Sequence, residues 1–246
     1  MEGFNSLKSF GNISFLKAIL NIIQNTNEEK IKNIFITPIL CYAYLESFGW
    51  KKDNCINFLS NIKFEAGDGR TKCDILFKKS KNNYILVEVK KVDELNRYIN
   101  NLNNPKKLDR IYKGSSSVKL KEEIEIPSIL LDSNNKIYNL DGDILGQTIK
   151  YTLNYKNVDN IDIIITSGCC WMFISLNNSK LNEMYRELEN SSYIVEDNEG
   201  NSYKVLNISN LNILKIMEIL NLTENLNLEK NLKIFLEKIK NLFSKE

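Results

Sequence analysis

The chain has 246 residues, 43% of them hydrophobic and 26% charged, which suits an ordinary globular protein able to bury a core. A formal net charge of +2 is too small to argue for a nucleic-acid partner from global electrostatics, and no apolar run approaches the roughly 20 residues of a membrane span. There is no histidine, which removes Ser-His-Asp and Cys-His catalysis, histidine-based ribonucleases and most zinc sites.

Taken in order, residues 1–25 read as one helix with Phe15, Leu16, Ile19, Leu20, Ile22 and Ile23 on its apolar side. A longer helical stretch runs from about Asn27 to Phe48. Thr37-Pro38 inside it marks a break or a fresh start, and Gly49 ends it. A first strand is expected at Ile62–Glu65. Lys72–Phe77 and Tyr84–Lys91 follow as a hairpin, with Lys78–Asn83 as its turn. Residues 92–140 are rich in Asn, Lys and Ser and read as a surface insertion with a short strand at Ile124–Leu131.

Order returns at Asp143. Ile144–Tyr155 reads as a helix, Ile161–Thr166 as a buried strand, Ser167-Gly168 as a turn and Cys170–Leu176 as a further strand. Tyr193–Val195 and Tyr203–Leu206 suggest a late hairpin. From Leu211 onward the chain reads as helical. Leu228, Leu232, Phe235, Leu236, Ile239, Leu242 and Phe243 form a stripe for packing on the core, a short oligomerising helix being the other reading. This order of elements predicts an α/β or α+β core with a mixed central sheet flanked by helices and a C-terminal helical extension. The divisions expected are an N-terminal helical extension over 1–26, a main domain over 27–208 with an insertion at 92–140, and a helical segment over 209–246.

Cys41, Cys55, Cys73, Cys169 and Cys170 show no paired metal spacing, and four lie in apolar segments as buried free thiols. That usage, and an N-terminus without a basic start and long apolar stretch, leads us to expect a cytoplasmic protein with no membrane partner. The clusters Lys78, Lys79 and Lys81; Lys90 and Lys91; and Lys106, Lys107, Arg110 and Lys113 each read, taken alone, as solvated loops and faces.

The chemistry concentrates in the hairpin. Strand side chains alternate faces, so Glu88 and Lys90 share one and Val87 and Val89 point the other way. The hairpin can bring Asp74 alongside. Two carboxylates and an ammonium on one strand face are costly unless they act together, for instance on a metal ion. An exposed hairpin with a cross-strand ion pair worth under about 1 kcal/mol is the plainer alternative. Without histidine, phosphodiester chemistry would fall to carboxylate-bound magnesium.

Asp74 followed by Glu88-Val89-Lys90 resembles the signature of the PD-(D/E)XK nuclease superfamily, with Cys73 standing where its loosest position has proline. The flanks resemble the N-terminal nuclease domain of type I restriction enzyme R subunits. Gly69–Leu76 is similar to the approach to the metal Asp, and Glu28–Lys32, Pro38–Leu40 and Phe48-Gly49-Trp50 to the opening helix. Gln147–Tyr151 is similar to a Gln-x-x-x-Tyr motif, and Ile164–Trp171 to a Leu-Thr-Asn-Gly-x-x-Trp hairpin. The likeness covers roughly residues 27–176. The sequence contains no Gly-x-x-x-x-Gly-Lys-[Ser/Thr] phosphate loop, so ATP-driven translocation is not expected of it.

The resemblance implies a restriction-endonuclease-like core and a magnesium-dependent DNA endonuclease, with Mn2+ as a substitute metal. Asp74, Glu88 and the Val89 carbonyl would bind the metal, together with a helix glutamate, Glu28, Glu29 or Glu46. Lys90 would activate water, with Gln147 nearby. Arg70, Lys72, Lys91 and Tyr151 would contact DNA. The plainer alternatives are surface charge for Arg70 and Lys72, and a polar helix surface with Tyr151 half in the core for Gln147 and Tyr151. Trp171, read on its own, is core rather than a base-stacking platform. A homodimer or a restriction or phage-defence complex is the expected setting. The alternatives are a non-catalytic DNA-binding or complex-engaging module of the same fold, and an RNA-directed nuclease.

Overall fold

A computed structural model describes residues 2–68, 71–103, 110–113, 128–131, 137–139, 144–152, 155, 158, 160–177, 193–196, 202–207, 214–223 and 228–244. The chain opens with α1 (Glu2–Lys8), a 3-10 turn at Ser9–Gly11 and α2 (Ile13–Ile23). The single helix expected there is broken because the Asn12 side chain caps α2, accepting from the Ser14 and Phe15 amides. Next come α3 (Glu28–Ile31), a π-helical segment at Lys32–Ile36 and α4 (Thr37–Phe48). The expected break at Thr37-Pro38 is a change of helical pitch: the π segment passes directly into α4, and Pro38 sits in its first turn. Gly49, at φ 98°, ends α4, and its amide donates to the Leu45 carbonyl.

Then follow α5 (Lys52–Asn61), β1 (Ile62–Asp68), β2 (Thr71–Lys78), β3 (Asn83–Val89), α6 (Val92–Asn103), β4 (Arg110–Lys113), β5 (Ser128–Leu131), β6 (Ile137–Asn139) and α7 (Ile144–Thr152). The chain continues through β7 (Asn160–Thr166), β8 (Cys170–Asn177), β9 (Tyr193–Glu196), β10 (Ser202–Asn207), β11 (Leu214–Asn221) and α8 (Leu228–Asn241). Two of these correct the sequence reading. The first part of the supposed insertion is α6. The supposed helical tail contains a strand, since β11 pairs antiparallel with β8 across the sheet edge.

The main sheet is mixed, in the order β1-β2-β3-β7-β8-β11. Its neighbours are antiparallel except for β3 and β7, which run parallel. A second sheet has the order β4-β9-β10-β5-β6. Among the described residues, no helix is long and apolar enough to cross a membrane.

Helices cover both faces of the main sheet, and the core is split accordingly. One face carries Ile75, Phe77, Ile85, Val87, Val89, Ile164, Trp171 and Phe173 against α2, the π segment, α4, α5 and α8. The other carries Leu76, Leu86, Ile161, Ile163, Ile165, Met172 and Ile174 against α6 and α7. Burial on both faces explains why β7 reads as an almost unbroken apolar run. Leu16 of α2 and Leu232, Phe235 and Ile239 of α8 join the first face's core, so both ends of the chain are integral to it.

The turn between β7 and β8 is tightly built. Gly168 has φ 78°, and a Cβ there would lie 2.5 Å from Ile23 Cδ1. The Trp171 indole N–H donates to the Gly168 carbonyl at 2.8 Å, and the ring is fully buried against Phe35, Phe173 and Phe235. Trp171 is therefore core. Cys169 and Cys170 are both buried but join opposite faces, which separates their side chains despite their adjacency.

Candidate active site

The pairing of β2 with β3 runs from Lys78↔Tyr84 to Ile75↔Val87 and stops there. One step further along the same register, Asp74 stands opposite Glu88. Here the carboxylate takes over from main-chain pairing: the Val89 amide donates to Asp74 Oδ2 at 2.7 Å. The strand is irregular at this point. Cys73 and Leu76 both pack into the second face's core, although strict alternation would separate them. Glu65, on the neighbouring β1, adopts a left-handed φ of 49°, uncommon for a residue with a side chain. The strands thus part at Asp74 and Glu88, and the polar side chains gather where they part.

Glu88 is only 6% exposed. Its Oε1 accepts from Lys90 Nζ at 2.9 Å, while Oε2 is buried with no hydrogen-bond partner. Burial pushes its carboxyl up from an ordinary value near 4.5 to about 7; the Lys90 ammonium and, more weakly, the Asp74 backbone amide work against the rise, and the Asp74 charge adds to it. Burial pulls Lys90 down, but the Glu88 carboxylate outweighs it, aided by Glu94 and Glu28, so the ammonium is held above its usual range.

The N-terminal helices close the other side. Asn27 caps α3, its side chain accepting from the Lys30 amide. That places Glu28 so that its Oε1 accepts from the Lys91 amide at 3.2 Å. Four residues on, where the π segment begins, Lys32 reaches back to the sheet. Its Nζ lies 2.7 Å from Glu65 Oε1 and 3.3 Å from Asp74 Oδ1.

Of the residues expected from the sequence, Asp74, Glu88 and Lys90 are brought together, with Val89 anchored to Asp74 through its amide. Glu28 approaches but is engaged with the Lys91 amide. Glu29 is exposed. Glu46 belongs elsewhere: it accepts from the Trp50 indole at 2.7 Å and pairs with Lys240 at 3.1 Å, tying α4 to α8. Tyr151 of α7 is half-buried beside the site; burial, then the Glu88 charge, raises its hydroxyl. Gln147, one turn earlier, is exposed, as are Lys72 and Lys91. Arg70 lies outside the described residues.

Lys32 and Glu65 were not anticipated. The signal for Lys32 was its spacing of four from Glu28, which puts both on one helix face. Glu65 offered none, since its role depends on a local backbone irregularity.

Carboxylates outnumber ammonium groups here, an imbalance suited to a cation. Among the described residues no three acidic or thiol side chains converge on one point. The donor set is a carboxylate pair, Asp74 and Glu88. Such a pair fits magnesium, which keeps several of its waters and takes one or two carboxylates. The unpartnered Glu88 Oε2 is the atom most in need of a positive partner.

Fold and site together define a mixed α/β protein whose six-stranded sheet carries a buried carboxylate–lysine cluster where two neighbouring strands part. No family model, curated protein or solved structure matches the chain.

Proposed function

We propose that the protein is a magnesium-dependent endonuclease of the PD-(D/E)XK type, with a restriction-endonuclease-like core, acting on DNA phosphodiester bonds. The observation that carries this reading is Glu88: a buried carboxylate with one oxygen on Lys90 and the other unpartnered, standing opposite Asp74. A purely structural ion pair gains nothing from a buried, orphaned oxygen. The ordered motifs over residues 27–176 support it further.

Asp74, Glu88 and the Val89 carbonyl would hold the cation. When bound, magnesium supplies Lewis-acid stabilisation of charge developing on the phosphoryl group and lowers the pKa of attacking water. Lys90, held by Glu88, would orient that water and stabilise the same charge. Tyr151 borders the site from α7, and the exposed Lys72 and Lys91 ammoniums suit the phosphate backbone. Cutting both strands would call for two such sites, hence a homodimer or larger complex, in a restriction or phage-defence setting.

Incubating supercoiled plasmid with the protein and Mg2+ or Mn2+ tests the proposal. Nicking is expected with either ion, none with a chelator, and none with Asp74→Ala or Lys90→Ala variants shown to be folded. Cleavage confined to a structured RNA in a parallel lane would redirect the reading to RNA. Binding of DNA with no cleavage by the wild-type protein would make it a binding module.

A further inference from the structure

We propose that Lys32 is the resident counter-ion of the site, an ammonium that a divalent cation displaces from Asp74 and that Glu65 then holds toward the phosphodiester of the substrate. This rests on the reading of Asp74 and Glu88 as cation ligands.

The two carboxylates are not equivalent. Glu88 has its own ammonium, Lys90, two residues on and just past the end of β3. Asp74 has none from its own hairpin; it is neutralised from across the molecule, 42 residues away in sequence, by Lys32. The Lys32 side chain is 12% exposed and bridges two anions, at 2.7 Å to Glu65 and 3.3 Å to Asp74. The longer contact is the one to Asp74. A dication arriving between Asp74 and Glu88 competes for that contact with twice the charge.

Lys32 and Glu65 both sit in unusual backbone. Lys32 starts the π-helical segment Lys32–Ile36, a geometry frequent at functional sites, and Glu65 is the only non-glycine residue with positive φ among those described. Unpaired from Asp74, the ammonium stays tethered by Glu65, whose side chain is more than half exposed. That keeps a positive charge beside the carboxylate pair.

The test measures Mn2+ affinity from the free-ion electron paramagnetic resonance signal, together with plasmid nicking at saturating Mn2+. Lys32→Met is expected to bind Mn2+ at least about fivefold more tightly, because the competing charge is gone, yet to nick roughly tenfold or more slowly. Glu65→Gln is expected to move affinity the other way, since Lys32 then rests on Asp74 alone. Should Lys32→Met fold poorly, Glu65→Gln and the charge-preserving Lys32→Arg, expected near wild-type affinity, carry the test. Unchanged or weaker Mn2+ binding by folded Lys32→Met, or unchanged binding by Glu65→Gln, overturns the counter-ion role. If Asp74→Asn retains wild-type Mn2+ binding, the cation site itself is wrong and this proposal falls with it. If Asp74→Asn abolishes binding while the Lys32 and Glu65 variants leave it unchanged, only the counter-ion role fails.

Discussion

Replacing Glu88 with glutamine should make the metal-free protein more stable. The carboxyl titrates near 7 in the folded chain instead of near 4.5, so holding it ionised above pH 7 costs about 3 kcal/mol, at about 1.4 kcal/mol per pH unit. Its side chain is 7% exposed, which leaves little solvent screening to discount. Glutamine keeps the size and an oxygen for Lys90. Its NH2 would occupy the position of the orphaned Oε2 and would itself lack a partner, returning about 1 kcal/mol. The net expectation is a gain of about 2 kcal/mol at pH 8, or roughly 4–8 °C in Tm for a domain of this size.

The sign with pH follows from proton binding. The folded state holds the Glu88 proton more tightly than the unfolded state, so wild-type stability falls as pH rises from about 4.5 to about 7. Glu88→Gln lacks that slope, and its advantage should vanish below pH 4.5. Thermal unfolding of both proteins from pH 4 to 8, in a chelating buffer, measures the difference. A variant that is less stable at pH 8, or whose advantage does not change with pH, refutes the reasoning.

Other outcomes follow from the same geometry. Protons compete with a cation for Glu88, so Mn2+ affinity should rise by up to about tenfold per pH unit below 7 and level off above it, as titration calorimetry would show. Lys90→Ala leaves Glu88 buried without its ammonium; the loss should be about 3 kcal/mol at pH 8 and smaller at pH 6, where Glu88 takes up a proton, measured by denaturant unfolding. Trp171→Ala empties the fully buried centre shared by Phe35, Phe173 and Phe235 and should cost about 3–5 kcal/mol without changing the pH dependence of stability. Gly168→Ala combines a left-handed φ with a Cβ pressed on Ile23, and should lower stability by roughly 2–4 kcal/mol in the same assay.

The elements that were legible in the sequence carry their own local signals. The β2–β3 hairpin and β7 announce themselves through β-branched runs bounded by polar turns. Gly49 marks the end of α4 because only glycine adopts its φ readily, and the heptad-like stripe of α8 survives the charges around it. What escaped was decided by tertiary context. The sequence of α6 is rich in Asn, which hides Val92, Leu95, Tyr98 and Ile99 at helical spacing. Leu214–Asn221 contains Leu, Lys, Met and Glu, good helix formers, yet pairing with β8 overrides that preference. In the site, Asp74, Glu88 and Lys90 could be read because one hairpin carries all three. Lys32 and Glu65 could not, since the contact between them depends on a π-helical turn and a left-handed residue that no local pattern specifies. The choice among Glu28, Glu29 and Glu46 was likewise closed to the sequence: all three lie on helices, and only packing shows that Glu46 faces α8.

The most direct test is a crystal grown with Mn2+ and examined by anomalous diffraction at the manganese edge. The expected result is one peak between the carboxylates of Asp74 and Glu88, absent from crystals of Glu88→Gln. A well-ordered site with Lys32 and Lys90 in place and no manganese at millimolar concentration would contradict it.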